Sequence, residues 1–311
     1  MTDTIPYEKL GQGKLVFERI GPSENNYSGV YVIDIYNQSS WGIRSGVFNS
    51  IAVSPGGQKI AFTRHAGYLA DTAFDVHVMD IDGANIQNVT SMEGQDRMPS
   101  WTPDSSQILF WVALGEPPLY RQSPVPNPVD RTLIKTFSYE GTKLWVLYGP
   151  FSVSQNLKLA FAAFFSLSLW GIYTMDIDGS NLIKIASKGS SQLGAFYSPA
   201  WSPDGQKIAY LLYFRDFNYD FTSLELIVMN ADGSNRRSLA KFETTNVTGV
   251  YSGHNEMSLC WSPDGSKIAF NKKEEGHLIS HIYIINSDGS GLTQVTFAEG
   301  VTDRSISWSN Y

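Results

Sequence analysis

Short apolar runs bounded by turn residues recur along the chain. The segments "KIAYLLY" at 207–213, "LELIVMN" at 224–230 and "HIYIIN" at 281–286 carry apolar side chains at both alternating positions. A strand that is apolar on both faces is covered on both sides. Ser-Pro-Asp-Gly lies just before the first run, and Asp-Gly follows the other two closely. Pro presets φ, Asp accepts backbone hydrogen bonds and Gly allows positive φ. Both motifs therefore predict tight turns between buried antiparallel strands.

Two motifs repeat in alternation. The first is "WSPDGQKIAY" at 201–210, with close copies at 53–62 and 261–270, a looser copy at 101–110, and a copy at 151–161 that has one extra residue. The second is "YTMDIDGSN" at 173–181, with copies at 77–85, 227–235 and 283–291 and degraded copies at 31–39 and 135–143. The spacing gives a unit of about fifty residues, each predicted to hold four strands, A to D.

Four-stranded units of this length in series are typical of a β-propeller. The C-terminal "SISWSNY" at 305–311 is a strand A with nothing after it, and "GKLVFERI" at 13–20 is a strand B with nothing before it. We therefore predict an all-β, six-bladed propeller of four-stranded antiparallel blades, closed by pairing the C-terminal strand with the N-terminal strands. The expected division is an N-terminal tail at 1–12 and one propeller at 13–311, with blades at 13–46 plus 305–308, 50–91, 98–148 (with a proline-rich insert, 111–132), 149–187, 198–241 and 257–296.

The repeat W-S-P-D-G-x-K-I-A-F followed by D-x-D-G resembles the TolB-type, WD-like propeller repeat. Related repeats occur in the propeller domains of prolyl-peptidase-like and tricorn-type proteases. The resemblance covers about residues 13–311 and implies a propeller without the TolB N-terminal domain or a protease domain. It implies little about function, because this fold carries unrelated functions.

Composition narrows the functional classes. The chain is 42% hydrophobic and 17% charged with a net charge of −7, and it has no Lys/Arg-rich block, which argues against nucleic-acid binding. Its one cysteine, Cys260, excludes a disulfide framework and is expected to be a small buried hydrophobe. No signal peptide or membrane-length apolar run is present, so we expect no membrane insertion. We also expect the chain to be a monomer. It is expected to be cytoplasmic as written, and periplasmic or extracellular if the sequence is a trimmed mature form.

Candidate metal and catalytic motifs have simpler interpretations. The Asp pairs of D-x-D-G lack the Gly and Glu spacing of a calcium loop, so a hairpin turn is favoured. His65, His254 and His277 fall in loops on one face and could hold a metal, but scattered surface histidines are the preferred interpretation. Neither G-x-S-x-G nor H-E-x-x-H occurs. We predict no catalytic residue, metal or cofactor.

The first candidate site is the channel mouth. Asp96, Glu256 and Asp303 each lie five residues before the Trp that ends a strand A. By register these acids line the mouth of the central channel, where they could bind a polar ligand or a peptide terminus; the alternative is that they stabilise the D–A turn. The predicted channel-mouth residues are Asp96, Arg97, His254, Glu256, Asp303 and Arg304.

The second candidate site lies in the B–C loops, the least repetitive parts of the chain. Blades 4 and 5 carry "FFSLSLWG" at 164–171 and "YFRDFNYDFTS" at 213–223, which could form a shared patch for carbohydrate rings or peptide side chains. The alternative is packing of these loops on the propeller rim. The predicted loop residues are Trp170, Tyr213, Arg215, Phe217 and Tyr219.

These patterns favour a non-catalytic binding module of TolB-like type. It would recognise a protein, a peptide or a small polar or carbohydrate ligand on the face formed by the B–C and D–A loops. The alternative is a carbohydrate-active enzyme, a lyase or hydrolase, that uses the channel-mouth carboxylates and histidine. An enzyme needs titratable groups that converge in one pocket, whereas a binding module needs only an exposed patch.

Overall fold

Six antiparallel sheets, each built around four strands, form a six-bladed β-propeller, which confirms the predicted fold. The computed structural model describes residues 4–21, 28–46, 48–65, 74–90, 95–112, 118–124, 132–136, 138–143, 146–147, 149–166, 170–187, 193–215, 221–247, 257–273 and 279–309. The elements are given blade by blade below, in chain order.

A one-turn helix precedes the first three blades. It is α1 (Tyr7–Leu10). Blade 1 begins with β1 (Lys14–Ile20), β2 (Gly29–Asp34) and β3 (Ser39–Ser45). Blade 2 consists of β4 (Asn49–Val53), β5 (Lys59–His65), β6 (Phe74–Asp80) and β7 (Gln87–Asn88). Blade 3 consists of β8 (Asp96–Trp101), β9 (Ile108–Val112), β10 (Pro118–Gln122) and β11 (Thr132–Thr136).

The second half of the ring follows the same order from inside to outside. A small hairpin, β12 (Ser138–Tyr139) and β13 (Thr142–Lys143), precedes blade 4. Blade 4 has an inner strand in two pieces, β14 (Val146–Leu147) and β15 (Ser152–Val153), then β16 (Lys158–Phe164), β17 (Trp170–Asp176) and β18 (Ile183–Ser187). Blade 5 consists of β19 (Leu193–Trp201), β20 (Lys207–Arg215), β21 (Phe221–Asn230) and β22 (Arg237–Val247). Blade 6 consists of β23 (Leu259–Trp261), β24 (Lys267–Lys273), β25 (Ser280–Asn286) and β26 (Thr293–Gln294).

The C-terminal strand β27 (Thr302–Ser309) closes the ring. It pairs antiparallel with β1 and becomes the inner strand of blade 1, in the order β27-β1-β2-β3. The described apolar residues form six buried clusters, one at each junction between neighbouring blades. Each blade is therefore covered on both faces, as the doubly apolar strands predict.

Inner strands of neighbouring blades are joined by side chains close to the axis. The indole N–H of Trp101 donates to the carbonyl of Ala52 in the preceding blade, and Trp261 donates to Ala200 in the same way, both at 3.0 Å. Four inner strands carry a Trp near their end, and Val53 and Val153 take its place in the other two. The residue before this position is small in every blade, because the blades converge toward the axis. These small residues are Ala52, Ser100, Ser152, Ala200, Cys260 and Ser307.

Both predicted turns are confirmed. In blade 5 the amide of Gly205 donates to the carbonyl of Ser202, the carboxylate of Asp204 accepts from the Gln206 amide, and Gly205 has φ +67°. Gly233 in the Asp-Gly hairpin has φ +86°, and a Cβ there would lie 2.2 Å from the carbonyl oxygen of Ile185 in blade 4. Glycine at 233 is therefore needed both for its conformation and for the close approach of the two blades.

The structure corrects the predicted insert of blade 3. Pro118–Gln122, inside the segment 111–132, is the third strand of the blade and pairs with β9 and β11. Proline is tolerated there because it is the first residue of the strand. The segment 135–143, interpreted as a degraded copy of the second motif, instead contributes the end of β11 and the separate β12–β13 hairpin.

Two further sequence interpretations change. In blade 4, Val153 rather than Phe151 occupies the Trp position, so the A–B turn is one residue shorter than in blade 5, not one longer. Part of the predicted N-terminal tail is packed against the propeller: Ile5 and Leu10 are buried in the cluster between blades 6 and 1. The carbonyl of Gln12 accepts a 2.9 Å hydrogen bond from the Trp308 indole. Among the residues described, none of the helical structure is long and apolar enough to cross a bilayer.

Candidate functional site

Asp303, a predicted channel-mouth residue, lies on β27 directly opposite Arg19 on β1. Its carboxylate accepts two hydrogen bonds from the Arg19 guanidinium, at 2.7 Å from Nε and 2.9 Å from Nη2. The guanidinium lies over the rings of Phe17 and Tyr31, at 5.4 and 5.2 Å from their centroids. Asp303 has no exposed surface. The prediction that it lines an open mouth is wrong, because its side chain is enclosed where blade 1 packs on blade 6.

Arg304 makes the complementary pair on the other face of the same blade. Its Nε lies 2.8 Å from a carboxylate oxygen of Glu18, and the other oxygen of Glu18 accepts the Phe48 amide of blade 2 at 2.9 Å. The two ion pairs fix the register of β1 on β27. A shift by one residue would bring Glu18 opposite Asp303 in one direction and Arg19 opposite Arg304 in the other, and both pairings are between like charges.

Burial and pairing act in opposite directions on the two buried carboxyls. For Asp303, burial raises the pKa, but the hydrogen bonds from Arg19 and other neighbours outweigh it, and the pKa is lowered. For Glu18, burial dominates over the attraction of Arg304 and the pKa is raised. His281 lies close to Asp303, with its Nδ1 4.0 Å from the carboxylate; the predicted site did not include this histidine.

The acid at the equivalent position of blade 3 is also enclosed. Asp96 begins β8, opposite Val112 on β9, and has no exposed surface, so the prediction of an open mouth is wrong here as well. Arg97 on the other face donates to Gln95 at 2.7 Å and lies 4.5 Å from the centroid of the Phe74 ring. Burial lowers the pKa of Arg97. His254 and Glu256 lie outside the described residues.

The predicted loop patch is only partly in loops. Tyr213 belongs to β20, is 2% exposed, and its hydroxyl donates to the Met257 sulfur at 2.8 Å. The predicted loop begins at Tyr213, whereas the strand continues to Arg215. Trp170 begins β17, is half-buried, and contacts the Phe164 ring edge-to-face at 5.4 Å. Only the backbone of Arg215 is described, as the end of β20, and Phe217 and Tyr219 lie outside the described residues.

A cavity of about 340 Å³ lies where the six inner strands end, on the side of the Ser-Pro-Asp-Gly turns. All six blades contribute to its wall, and among the described residues that line it there is no Asp, Glu, Lys, Arg or His. Of the predicted channel-mouth and loop residues that the structure describes, none lines this cavity. The lining includes the tryptophans that end four inner strands and a set of prolines, which are Pro55, Pro99, Pro150, Pro199, Pro203 and Pro263.

Cys260 lies in the wall of this cavity. It is partly exposed rather than fully buried, which corrects the sequence expectation. The enclosed surroundings raise the pKa of its thiol, so the group is neutral at physiological pH. The cavity could have been suspected from the sequence: prolines and small residues cluster around the Trp of successive repeats.

The D-x-D-G carboxylates serve the hairpins. Asp80 accepts from Lys59 at 2.9 Å and from the Asn85 amide at 2.6 Å, and Asp82 accepts the Ala84 amide at 2.9 Å. These hydrogen bonds lower the pKa of Asp80. Within the described part of the chain, no group of three or more His, Cys, Asp or Glu could hold a metal ion.

Comparison with known proteins gives limited sequence likeness. No family model matches the chain. An uncharacterized protein of Agrobacterium fabrum is 28% identical over 157 residues, which are 47% of this chain and 50% of that protein. Dipeptidyl-peptidase 5 of Porphyromonas gingivalis is 33% identical over 79 residues, 25% of this chain and 10% of that protein. The chain therefore spans half of the first relative and a tenth of the second.

Solved structures give a stronger likeness, and it concerns the fold. TolB from Acinetobacter baumannii superimposes with a TM-score of 0.70 at 18% identity, over 95% of this chain and 66% of that chain. A putative TolB from Agrobacterium tumefaciens gives 0.55 at 12% identity, over 96% and 99%. Kuenenia stuttgartiensis hydrazine synthase gives 0.64 at 12% identity, over 95% and 46%. The structure is thus a six-bladed β-propeller of TolB-like fold, as the repeat predicts.

Proposed function

We propose that this chain is a non-catalytic binding module that recognises a protein or peptide partner. The observation that carries the proposal is the central cavity, which is concave, formed by all six blades and lined by uncharged side chains in the part of the chain that the structure describes. Concave pockets that combine apolar side chains with polar groups are common ligand sites. The name of one relative, a dipeptidyl-peptidase, adds support for peptide chemistry over a short matched segment.

The buried acids weigh against the enzymatic alternative. A carbohydrate lyase or hydrolase needs carboxyl or imidazole groups that reach the substrate. Asp303 is held by Arg19, and neither Asp303 nor Asp96 has exposed surface. The enzymatic alternative is then left with Glu256 and His254, outside the described residues.

The binding proposal is tested with a displayed library of random peptides selected on the full chain. Selected peptides are synthesised and titrated by calorimetry. We expect saturable binding at one site per chain with a negative heat-capacity change, because apolar surface is buried. Failure to select any peptide that binds saturably would contradict the proposal.

The enzymatic alternative needs a separate assay. The chain is incubated with neutral and uronate-containing polysaccharides while reducing ends and unsaturated products are measured. We expect no turnover above that of a Glu256→Gln variant. Turnover that is lost in Glu256→Gln or in His254→Ala, with folding intact, would establish the enzyme instead.

A further inference from the structure

We infer that the central cavity binds an uncharged, amide-containing ligand that enters from the face of the Ser-Pro-Asp-Gly turns. The inference rests on the proposed binding function and names its site and the chemistry of the ligand. The site lies away from the B–C and D–A loops, where the repeat pattern placed binding.

The charge of the wall selects the ligand. Charged residues make up 17% of the chain, yet none of those that the structure describes lines the cavity, and the thiol of Cys260 is neutral at physiological pH. A charged ligand would lose its hydration without meeting an opposite charge. An uncharged ligand avoids this cost, so neutral ligands are favoured over charged ones of the same size.

Serine hydroxyls supply polar groups on opposite sides of the cavity. Ser307 of blade 1 accepts the Val53 amide at 3.1 Å, and Ser152 of blade 4 accepts the Trp201 amide at 2.9 Å. A hydroxyl that accepts one hydrogen bond still has its own hydrogen to donate. Blades 1 and 4 are three places apart in a ring of six, so these two serines lie on opposite sides of the axis. A ligand with two amide carbonyls matches them.

The wall is also rigid. Pro99 and Pro199 each follow a residue with positive φ, Met98 at +56° and Ser198 at +47°, where the inner strand bulges. Proline has a fixed φ and little entropy to lose, so the cavity binds with a small ordering cost. Its volume of about 340 Å³ is at the small end of ligand pockets, which suits a dipeptide-sized group.

The opening lies on the turn face. Pro55, Pro203 and Pro263 belong to the A–B turns and also line the cavity. Ala84 lies on a C–D turn of the same face but is exposed and outside the cavity. It therefore offers a position for a matched control.

The test is calorimetric titration of the full chain with N-acetyl-Pro-Leu-amide. The free dipeptide Pro-Leu, which has the same side chains and two charged ends, is the matched probe. Cys260→Phe fills the cavity, Cys260→Ser preserves its size, and Ala84→Phe adds the same ring outside it. Wild-type chain whose Cys260 is capped with a neutral benzyl methanethiosulfonate gives a blocked cavity in protein that is already folded.

We expect saturable binding of the capped dipeptide and at least about tenfold weaker binding of the free dipeptide, a difference of about 1.4 kcal/mol. Binding should be lost in Cys260→Phe and in the benzyl-capped protein, and kept in Cys260→Ser and Ala84→Phe. A capped dodecapeptide with Pro-Leu at its centre separates two sources of the ligand. Tighter binding than the dipeptide supports a partner's segment, and equal binding supports a free small amide.

Three results would overturn the inference: no binding of the capped dipeptide at millimolar concentration, equal binding of the free dipeptide, or binding unchanged by the benzyl cap. Library-selected peptides that still bind the benzyl-capped protein would remove the cavity as the site and leave the proposed function standing. Failure of both experiments would remove the proposed function itself.

Discussion

Removing the carboxylate of Asp303 tests how the ring is closed. In Asp303→Ala the guanidinium of Arg19 loses both of its hydrogen bonds to Asp303 while its side chain stays buried over two aromatic rings. Breaking a buried ion pair by removing one partner costs about 3–5 kcal/mol, because the remaining buried charge loses the compensation that this partner supplied. We expect a loss of this size in the free energy of unfolding, measured by urea titration of tryptophan fluorescence.

A double-mutant cycle isolates the pair. Arg19→Met alone should destabilise by a similar amount, whereas Arg19→Met with Asp303→Ala should cost less than the sum of the two by roughly 2–3 kcal/mol. Lys59→Met, which removes an exposed ion pair with Asp80, is the control and should leave the urea midpoint almost unchanged. Additive single effects, each under about 1 kcal/mol, would refute the reasoning, because the pairing of β1 with β27 would then not depend on this buried ion pair.

The pH dependence of the same pair has a defined sign. Burial raises the pKa of Asp303, but the bonds from Arg19 outweigh it, so the folded pKa lies below the reference value of 3.8. The stability that the carboxylate contributes is therefore present above pH 3.8 and is lost as the pH falls through the lowered folded pKa. Comparison of urea midpoints between wild type and Asp303→Asn should show their difference shrinking only in that acidic range.

Three further predictions use matched positions. The pKa of Glu18 is raised by burial, so wild type should gain stability relative to Glu18→Gln as the pH falls from the raised value toward 4.5; the opposite slope would contradict the assignment. Trp261→Phe loses an indole hydrogen bond, whereas the Trp201 indole has no hydrogen-bond partner among the described residues, so Trp261→Phe should cost about 0.5–1.5 kcal/mol more than Trp201→Phe in urea unfolding. Gly205→Ala should cost about 1–2 kcal/mol for its positive φ. Gly233→Ala should lower the thermal midpoint further than Gly205→Ala, because its Cβ would also strike the backbone carbonyl of Ile185 in the preceding blade; equal midpoints would argue against that contact.

The repeat was sufficient to predict the fold because it encodes local structure. The turn residues and the doubly apolar strands specify each blade. The single strand at the C-terminal end and the three strands at the N-terminal end specify how the ring closes. Blade 3 was misassigned because Pro118–Gln122 lacks the Asp-Gly turn that marks the third strand in blades 2, 4, 5 and 6. The end of β20 was predicted at Tyr213 and lies at Arg215, because aromatic residues occur on both sides of this boundary and do not distinguish strand from loop.

The candidate site was harder to predict because its partners are far apart in sequence. Asp303 was predicted as a site residue from its position five residues before Trp308. Its burial depends on Arg19, which is 284 residues away in the sequence. The sequence does contain a signal: Glu18-Arg19 and Asp303-Arg304 are complementary when the strands run antiparallel. The central cavity was missed because its wall is made of residues that each have a structural role in their own blade.

The central claim is that the cavity on the axis holds an uncharged ligand, and Cys260 reports on it directly. The rate of reaction of this single cysteine with a neutral methanethiosulfonate is measured at alkaline pH, because the thiolate is the reacting form, with increasing N-acetyl-Pro-Leu-amide. The account predicts a saturable slowing of modification, with the same midpoint as the calorimetric titration. A rate that does not change when the ligand is present at saturating concentration would contradict it.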